Sequence, residues 1–251
     1  MGEPLEGAVT LVTGASSGIG EATARKMAEL GASVALVARR KDRLDALAGE
    51  LGDRAVPIEA DVTSQEQAVE AVGRTVRELG RLDVLVNNAG VMLLGPIVDA
   101  PTEEWDRMVA INVQGLLYCA HAALPHLLRA AESSRRGVAD LVNISSVAGR
   151  VARAGGGVYN LTKFGVGAFS ESLRQEVTKR NVRVSLVEPG VVATELTDHL
   201  RPEIRELTEQ RFGDMERLEA TDIADAIAYV VTRPRRVAIN EVLIRPTDQE
   251  F

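Results

Sequence analysis

The sequence predicts a doubly wound α/β fold, a single domain over residues 1–251 with a seven-stranded parallel sheet and helices on both faces. Short runs rich in valine, leucine and isoleucine alternate with segments whose apolar residues recur at helical spacing. This alternation indicates βαβ units, whose right-handed crossovers place helices on both faces of a parallel sheet. Aromatic residues make up only 3% of the chain, which suits aliphatic strands buried between helices.

Seven apolar runs are the candidate strands: AVTLVT, SVALVA, AVPIEA, LDVLVN, DLVNIS, VRVSLV and EVLIRP. The helical patterns between them are EATARKMAEL, KDRLDALAGEL, SQEQAVEAVGRTVREL, EEWDRMVAINVQGLLYCAHAAL and VGAFSESLRQEVTKR. Pro125 is expected to kink its helix or to end the first half of it, because proline lacks an N–H donor. Residues 193–215 are polar and contain a proline, which predicts a helical, mobile flap near the site.

Composition argues against several functional classes. The net charge of -7 argues against nucleic acid as the main partner. The single cysteine, Cys119, forms no disulfide framework, and the three histidines lack the spacing of a metal motif, so no metal is predicted. The stretch around LLYCAHAALPHLL is too short to span a bilayer, and the start of the chain lacks a signal-peptide pattern. We expect a cytoplasmic protein without a membrane partner.

The first predicted strand ends in a glycine-rich turn, TGASSGIG, at residues 13–20. Its three glycines permit a tight turn and a close approach to a pyrophosphate, while the following helix offers unpaired N–H groups. The spacing GxxxGxG differs from the GxGxxG dinucleotide fingerprint, but its place after the first strand still predicts a dinucleotide site. The predicted contacts are Gly14, Ser16, Ser17, Gly18, Ile19 and Gly20.

The end of the second strand predicts which dinucleotide binds. An acidic residue there would hold both ribose hydroxyls and repel a 2′-phosphate, but Ala38 occupies the position and Arg39 and Arg40 follow. A guanidinium suits a phosphate monoester, so the predicted cofactor is NADP(H). The alternative is a solvated cationic start of the next helix.

The third and fourth strands end in further candidate contacts. Asp61 and its neighbour Val62 are expected beside the adenine, although Asp61 has the alternative role of capping the next helix. The fourth strand ends in NNAG, where asparagines can tie neighbouring strands together and small residues leave room for the cofactor. The predicted contacts there are Asn88, Ala89 and Gly90.

Tyr159 and Lys163 lie four residues apart in VYNLTKFG, which places them one turn apart on one helix face. A neighbouring ammonium favours the phenolate and moves the tyrosine pKa from ~10 toward the working range of a proton donor. By itself the spacing also fits an ordinary helical pair on a solvated face.

TGASSGIG, NNAG, Asn112 in INVQG, NISS ending at Ser146, Tyr159-x-x-x-Lys163 and PG at 189–190 form an ordered series. The series resembles that of the short-chain dehydrogenase/reductases, in their compact branch, over essentially the whole chain. The resemblance implies a Rossmann-type fold. It also implies that Tyr159 is the general acid in carbonyl reduction and the base in alcohol oxidation. Lys163 would lower the tyrosine pKa, hold the nicotinamide ribose and connect to solvent.

The same resemblance implies roles for other residues. Ser146 would polarise the substrate oxygen, and Asn112 would bend its helix and hold a water in a proton relay. No metal is needed, because two hydroxyl donors polarise the carbonyl. The stretch expected along the nicotinamide amide comprises Pro189, Gly190, Val192 and Thr194.

Weaker signals concern the substrate. MLLGP, TKFGVGAFSESLRQEVT and NEVLIRPTDQ resemble the branch containing clavulanic acid dehydrogenase, which reduces an aldehyde, and more distantly the NADP-dependent β-hydroxy acid dehydrogenases. The implied partner is a small carbonyl compound or alcohol. Ser146 and Tyr159 would meet it, together with Met92, Leu94 and Arg153. Arg150 and Arg153 are either receptors for a substrate carboxylate or solvated loop charges.

The family usually forms dimers or tetramers, so the resemblance implies a homo-oligomer, with a homotetramer as the expected form. Two other functional classes stay open. One is a dinucleotide-binding regulator without catalysis. The other is a sugar-nucleotide epimerase or dehydratase of the extended branch, which usually needs a longer C-terminal substrate domain and a different glycine spacing.

Overall fold

Seven parallel strands form one sheet in the computed structural model, which describes residues 3–250. The strands are β1 (Val9–Thr13), β2 (Ser33–Ala38), β3 (Ala55–Glu59), β4 (Val84–Asn87), β5 (Ala139–Ile144), β6 (Val182–Pro189) and β7 (Glu241–Ile244). Their order is β3-β2-β1-β4-β5-β6-β7, and every neighbouring pair is parallel. The predicted fold class and all seven candidate strands are therefore confirmed.

Eight α-helices connect or flank these strands within the described residues. They are α1 (Gly18–Glu29), α2 (Lys41–Leu51), α3 (Gln65–Leu79), α4 (Thr102–Val109), α5 (Leu116–Ser133), α6 (Gly157–Val177), α7 (Pro202–Phe212) and α8 (Ala220–Val231). A π-helical segment, Ala110–Gly115, joins α4 to α5. The sequence patterns above do not predict α8, which packs beside α1.

The helices cover both faces of the sheet, as successive residues of β1 show. Val12 packs in a core cluster with Met27 of α1 and Ile223 of α8. Leu11, one residue earlier, packs in the opposite cluster with Leu127 of α5. Because both faces are buried, the central strands are apolar at nearly every position, which explains the continuous aliphatic runs in the sequence.

Pro125 does not end its helix, so this alternative is wrong, while the expected kink stays a prediction. α5 continues through Pro125 to Ser133, because Cys119, Ala123 and Leu127 on either side pack into the core beside the sheet. This packing outweighs the ~3 kcal/mol that an internal proline costs.

The continuous helix Thr102–Ser133 is long and apolar enough to cross a membrane by length and composition, so the helix that contains LLYCAHAALPHLL is not too short. Its buried residues nevertheless make it a core helix of this sheet.

The strand order reverses at β1, since β2 and β3 lie on one side of it and β4 to β7 on the other. In open α/β sheets a crevice forms at such a reversal, outside the carboxyl ends of the strands. Residues 193–215, called the flap below, follow β6 at this end. Their predicted helical character is confirmed by a 3-10 helix, Glu195–His199, and by α7.

Candidate active site

A cleft of about 310 Å³ lies at the carboxyl ends of β1 to β6. The residues predicted from the sequence that line it are Gly14, Ser16, Ser17, Gly18, Ile19, Arg39, Arg40, Asp61, Val62, Asn88, Ala89, Gly90, Ser146, Tyr159, Lys163, Pro189, Gly190, Val192 and Thr194. The predicted residues that do not line it are Gly20, Asn112, Met92, Leu94 and Arg153. The dinucleotide motifs and the reactive side chains therefore meet in one place.

The turn after β1 has no room for side chains at its glycines. Gly14 has a φ of +66°, and a Cβ there would lie 2.9 Å from the Cα of Ala89. A Cβ at Gly20 would lie 2.2 Å from the carbonyl oxygen of Gly14, so a glycine at position 20 is needed for α1 to pack this closely against the turn. α1 begins at Gly18, and no side chain caps its first N–H groups. The turn and this helix start together form a cradle for an anion.

Arg40 lies over this cradle. Its Nε donates to Ser16 Oγ at 3.0 Å and its Nη2 donates to Ser17 Oγ at 2.6 Å. Its Nη1 donates to Glu195 of the flap at 2.8 Å. Arg39 is exposed at the edge of the cleft. The alternative of a merely solvated cationic helix start is therefore wrong for Arg40, which is bound to the cradle.

Asp61 lies in the cleft wall, but it does not cap α3. Its Oδ1 accepts from the backbone N–H of Thr63 at 3.0 Å and from Thr63 Oγ1 at 2.8 Å. Ser64 is the N-cap and accepts from the backbone N–H of Gln67. The alternative role of Asp61 as the helix cap is wrong, because the residue nearer the helix supplies that bond. The contact with adenine stays a prediction.

The two asparagines at the end of β4, Asn87 and Asn88, join the neighbouring strands, as predicted. The backbone N–H of Asn88 donates to Thr13 Oγ1 at 3.0 Å, and its side chain donates to the Thr13 carbonyl at 3.0 Å. Asn87 donates to Asn143 Oδ1 of β5 at 3.0 Å. These bonds fix the ends of β1, β4 and β5 around the cleft.

Ser146, Tyr159 and Lys163 form a buried group at the other end of the cleft. β5 delivers Ser146 just beyond its end, and the first turns of α6 present Tyr159 and Lys163 on one face. Tyr159 is hydrogen-bonded to Ser146, whose Oγ also accepts from the backbone N–H of Ala148 at 3.1 Å. Lys163 Nζ donates to the carbonyl of Ile144 at 2.9 Å. The hydroxyl of Ser146 thus caps a turn and contacts the phenol at once.

Burial disfavours the charged form of both ionisable groups. It raises the pKa of Tyr159 to about 12, an effect that the hydrogen bond with Ser146 partly opposes. It lowers the pKa of Lys163 to about 8. Burial therefore dominates the pKa of Tyr159 in the cofactor-free protein, and the lowering of that pKa by Lys163 stays a prediction for the cofactor complex. The ammonium is bonded to Ile144 and lies 5.8 Å from the centroid of the phenol ring.

Asn112 lies within the π-helical segment between α4 and α5 and is buried outside the cleft wall. Its Oδ1 accepts from the backbone N–H of Val91 at 2.8 Å, and its Nδ2 donates to the Val91 carbonyl and to Thr162 Oγ1. The side chain therefore joins the helix to the segment after β4 and to α6. The irregular helix at this position fits the expected bend, while the contact with a water stays a prediction.

The residues after β6 form the third wall of the cleft. Gly190 packs so closely on the C-terminal segment that a Cβ would lie 3.2 Å from the Cα of Arg245. Thr194 caps the 3-10 helix of the flap through its Oγ1, and its Cγ2 would be 3.1 Å from a Cβ at Gly18. The start of the flap therefore touches the anion cradle.

The predicted substrate residues divide into two groups. Met92 and Leu94 pack against the apolar cluster that contains Tyr159, so they lie beside the reactive phenol. Arg150 instead donates to the buried carboxylate of Glu188 at 2.6 Å and to Glu241. Neither role predicted for Arg150 is correct, because this pairing compensates the buried charge of Glu188.

Arg153 lies outside the cleft wall, near two other arginines. Burial and the positive charges of Arg211 and Arg245 lower its pKa. Asn160, next to Tyr159, holds its loop: the side chain accepts from the Arg153 N–H and donates to the carbonyls of Ala148 and Val151. No sequence pattern singles out Asn160, because its partners lie in the segment between β5 and α6, up to twelve residues away along the chain.

Several cleft residues are absent from the sequence predictions. Arg107 of α4 and Glu195, Leu196 and His199 of the flap line the cleft. The other missed residues are Val37, Ala38, Ala60, Val91, Ile111, Ile144 and Ser145. The polar flap pointed to this region, but only the fold shows which of its side chains reach the cleft. No group of three or more histidine, cysteine, aspartate or glutamate side chains suited to a metal ion occurs within residues 3–250.

Comparison with known proteins identifies the family. A family model described as short chain dehydrogenase matches residues 8–205. The chain belongs to the short-chain dehydrogenase/reductases. An uncharacterized oxidoreductase of Staphylococcus epidermidis is 38% identical over 238 residues, which cover 95% of this chain and 96% of that protein.

Solved structures of this family share the fold. A serine dehydrogenase complexed with NADP+ is 34% identical, with a TM-score of 0.89, over 97% of this chain and 96% of that chain. A 3-ketoacyl-(acyl-carrier-protein) reductase from Brucella melitensis complexed with NADH is 28% identical, with a TM-score of 0.85, over 97% and 98%. This short-chain dehydrogenase/reductase is therefore an oxidoreductase, and the Rossmann-type fold is confirmed.

Lys163 makes the stability of the cofactor-free protein depend on pH. Its pKa of about 8 in the folded chain lies below its ordinary value of 10.5. Folding therefore disfavours the ammonium, with the full cost below pH 8 and none once the pH passes 10.5. Relative to Lys163→Met, the wild-type free energy of unfolding should rise by up to about 3 kcal/mol across this range.

Urea unfolding of both proteins at several pH values measures the difference. Tyr159 is present in both, so its own titration cancels. Lys179→Met, which removes an exposed lysine, controls for the loss of one positive charge. Parallel pH curves for the wild type and Lys163→Met would contradict the effect of burial on Lys163.

Proposed function

We propose that this oxidoreductase transfers hydride reversibly between NADP(H) and a small aldehyde, ketone or alcohol, with Tyr159 as the general acid and base. The observation that carries the proposal is the buried group of Tyr159, Ser146 and Lys163 at one end of a cleft whose other end is an anion cradle. Buried ionisable groups with shifted pKa values that line a cleft are typical of catalytic sites.

The residues present fit a dinucleotide. The glycine turn leaves a cradle that side chains would fill, and the helix start above it is suited to a pyrophosphate. A Cβ at Gly90 would lie 3.9 Å from Lys163 Nζ, so the backbone at Gly90 passes close to the reactive group. When bound, the cofactor supplies or accepts the hydride, and its oxidised ring adds a positive charge that favours the phenolate.

The side chains of the protein handle the proton. As negative charge develops on the carbonyl oxygen, Tyr159 donates its phenolic proton to that oxygen and Ser146 donates a hydrogen bond to it. With a pKa of about 12, the phenol keeps its proton at neutral pH and is still a stronger acid than an alcohol. Proton donation to the alkoxide is therefore downhill. In alcohol oxidation the same oxygen takes the proton back.

Replacing the phenol tests this role. Tyr159→Phe should lower kcat by at least about a hundredfold, because general acid catalysis contributes 10²–10⁴-fold, while the Kd for NADPH stays nearly unchanged. Steady-state kinetics and cofactor titration measure the two quantities. Tyr229→Phe, at an exposed tyrosine, is the matched control.

Near-wild-type activity of Tyr159→Phe would reject the assignment. A panel of aldehydes and ketones supplies the substrate for this test, beginning with aldehydes because of the resemblance to clavulanic acid dehydrogenase. Cofactor binding without turnover across the whole panel would instead favour a dinucleotide-binding regulator.

The preference for NADP(H) is proposed from the end of β2. Ala38 stands where an acid would repel a 2′-phosphate, and Arg39 and Arg40 follow at the cleft edge. The solved relatives include one with NADP+ and one with NADH, so the choice depends on these residues.

The KM for NADPH should be lower than the KM for NADH. Arg39→Ala should raise the KM for NADPH about tenfold and leave that for NADH nearly unchanged, because one charge-assisted bond to the 2′-phosphate is lost. Initial-rate measurements with each cofactor test this, and Arg236→Ala serves as a control at an exposed arginine. A wild-type preference for NADH would defeat the proposal.

A substrate with a carboxylate, such as a hydroxy acid, is the second candidate. Arg153 lies near Arg211 and Arg245, and the buried Nε of Arg245 has no hydrogen-bond partner within the described structure. Arg245 adjoins Gly190 at the cleft wall. One of the similar structures is a serine dehydrogenase, and serine is a β-hydroxy acid.

Comparing a carboxylated aldehyde with its methyl ester tests this candidate. The acid should have the higher kcat/KM, and Arg153→Gln should reduce that advantage about tenfold while barely changing the ester. Arg205→Gln, in the flap, controls for the loss of a nearby positive charge. Equal reactivity of acid and ester in the wild-type enzyme would exclude the contact.

A further inference from the structure

Glu195 of the flap reaches across the adenosine end of the cleft. Its Oε2 accepts from Arg40 Nη1 at 2.8 Å, and its Oε1 accepts from Arg43 Nη1 at 2.6 Å. These two guanidinium groups lower the pKa of Glu195 to about 2, so the carboxylate is charged at any pH of interest. A flap residue thus places a fixed negative charge between two arginines at the start of α2.

This carboxylate competes for the same donors as a cofactor phosphate. The three nitrogens of the Arg40 guanidinium donate to Ser16, Ser17 and Glu195. These bonds use three of the five N–H groups of Arg40, so a phosphate at the end of β2 would share this guanidinium with the carboxylate. The two anions would also repel each other across a few ångströms.

We propose that Glu195 is a specificity-determining residue, whose carboxylate occupies the position of the cofactor 2′-phosphate and weakens the preference for NADPH over NADH. The inference rests on the proposed use of NADP(H). NADPH has to bring its 2′-phosphate beside this carboxylate and share Arg40 and Arg43 with it, whereas NADH lacks the 2′-phosphate and avoids this repulsion.

An ordinary structural role for Glu195 predicts a different result. If the carboxylate only anchored the flap, its loss would weaken NADPH and NADH alike, because both bind under the same flap. If it competes with the 2′-phosphate, its loss strengthens NADPH selectively. The ratio of the two dissociation constants therefore separates the two roles.

Fluorescence titration of the wild type and Glu195→Gln with NADPH and NADH measures this ratio. We expect the Kd for NADPH to fall about fivefold and the Kd for NADH to change less than twofold, as suits the loss of one exposed competing charge. Glu195→Ala, which removes the acceptor altogether, should shift the ratio in the same direction. Glu209→Gln is the matched control, since it removes another flap carboxylate paired with an arginine.

The outcomes are distinct. An unchanged ratio in Glu195→Gln, or weaker binding of NADPH, overturns the role of Glu195 and leaves the proposed cofactor standing. An equal shift in Glu209→Gln also overturns it, because any loosening of the flap would then suffice. A wild-type preference for NADH overturns the proposed cofactor itself. A selective gain for NADPH in both Glu195 variants supports the inference.

Discussion

The joint between β1 and β4 is the constraint on which the whole cleft depends. At this joint the strand order reverses, and Asn88 closes it with bonds to the Thr13 hydroxyl and to the carbonyls of Thr13 and Gly14. The closure brings Ala89 so near the glycine turn that Gly14 cannot carry a Cβ. The joint therefore sets the position of the anion cradle at the carboxyl ends of the strands.

The buried position of the reactive group disfavours the charged forms of its two ionisable side chains. Burial raises the pKa of Tyr159 to about 12 and lowers the pKa of Lys163 to about 8, and both shifts favour the neutral side chain. The backbone carbonyl of Ile144, not the phenol of Tyr159, accepts the hydrogen bond from Lys163. The arrangement favours a proton donor at rest. In alcohol oxidation Tyr159 has to act as the base, and its phenolate requires additional positive charge in the cleft.

The sequence was informative where structure is local and less so where contacts are distant in the chain. Strands buried on both faces are continuous aliphatic runs, and the glycine turn and the Tyr159–Lys163 pair are each contained in a few residues. Pro125 lies inside a continuous helix although proline disfavours helix interiors, because the packing of α5 against the sheet outweighs this local cost. The pairings of Arg150 with Glu188 and of Arg40 with Glu195 join residues 38 and 155 positions apart, which no pattern of spacing reveals.

The flap differs from the rest of the fold in how it is held. None of the residues of α7 is buried, while Glu195 pairs with Arg40 and Arg43, and Arg201 pairs with Glu104 of α4. Apolar packing is insensitive to the charge of a ligand, but exposed ion pairs contribute little stability and exchange readily with other ions. Leu200 is a buried apolar anchor of the flap, so these ion pairs add to hydrophobic packing at one point of the segment. Arg40 and Glu195 both line the cleft, so the ion pair that holds the start of the flap is one that an anion in the cleft would meet.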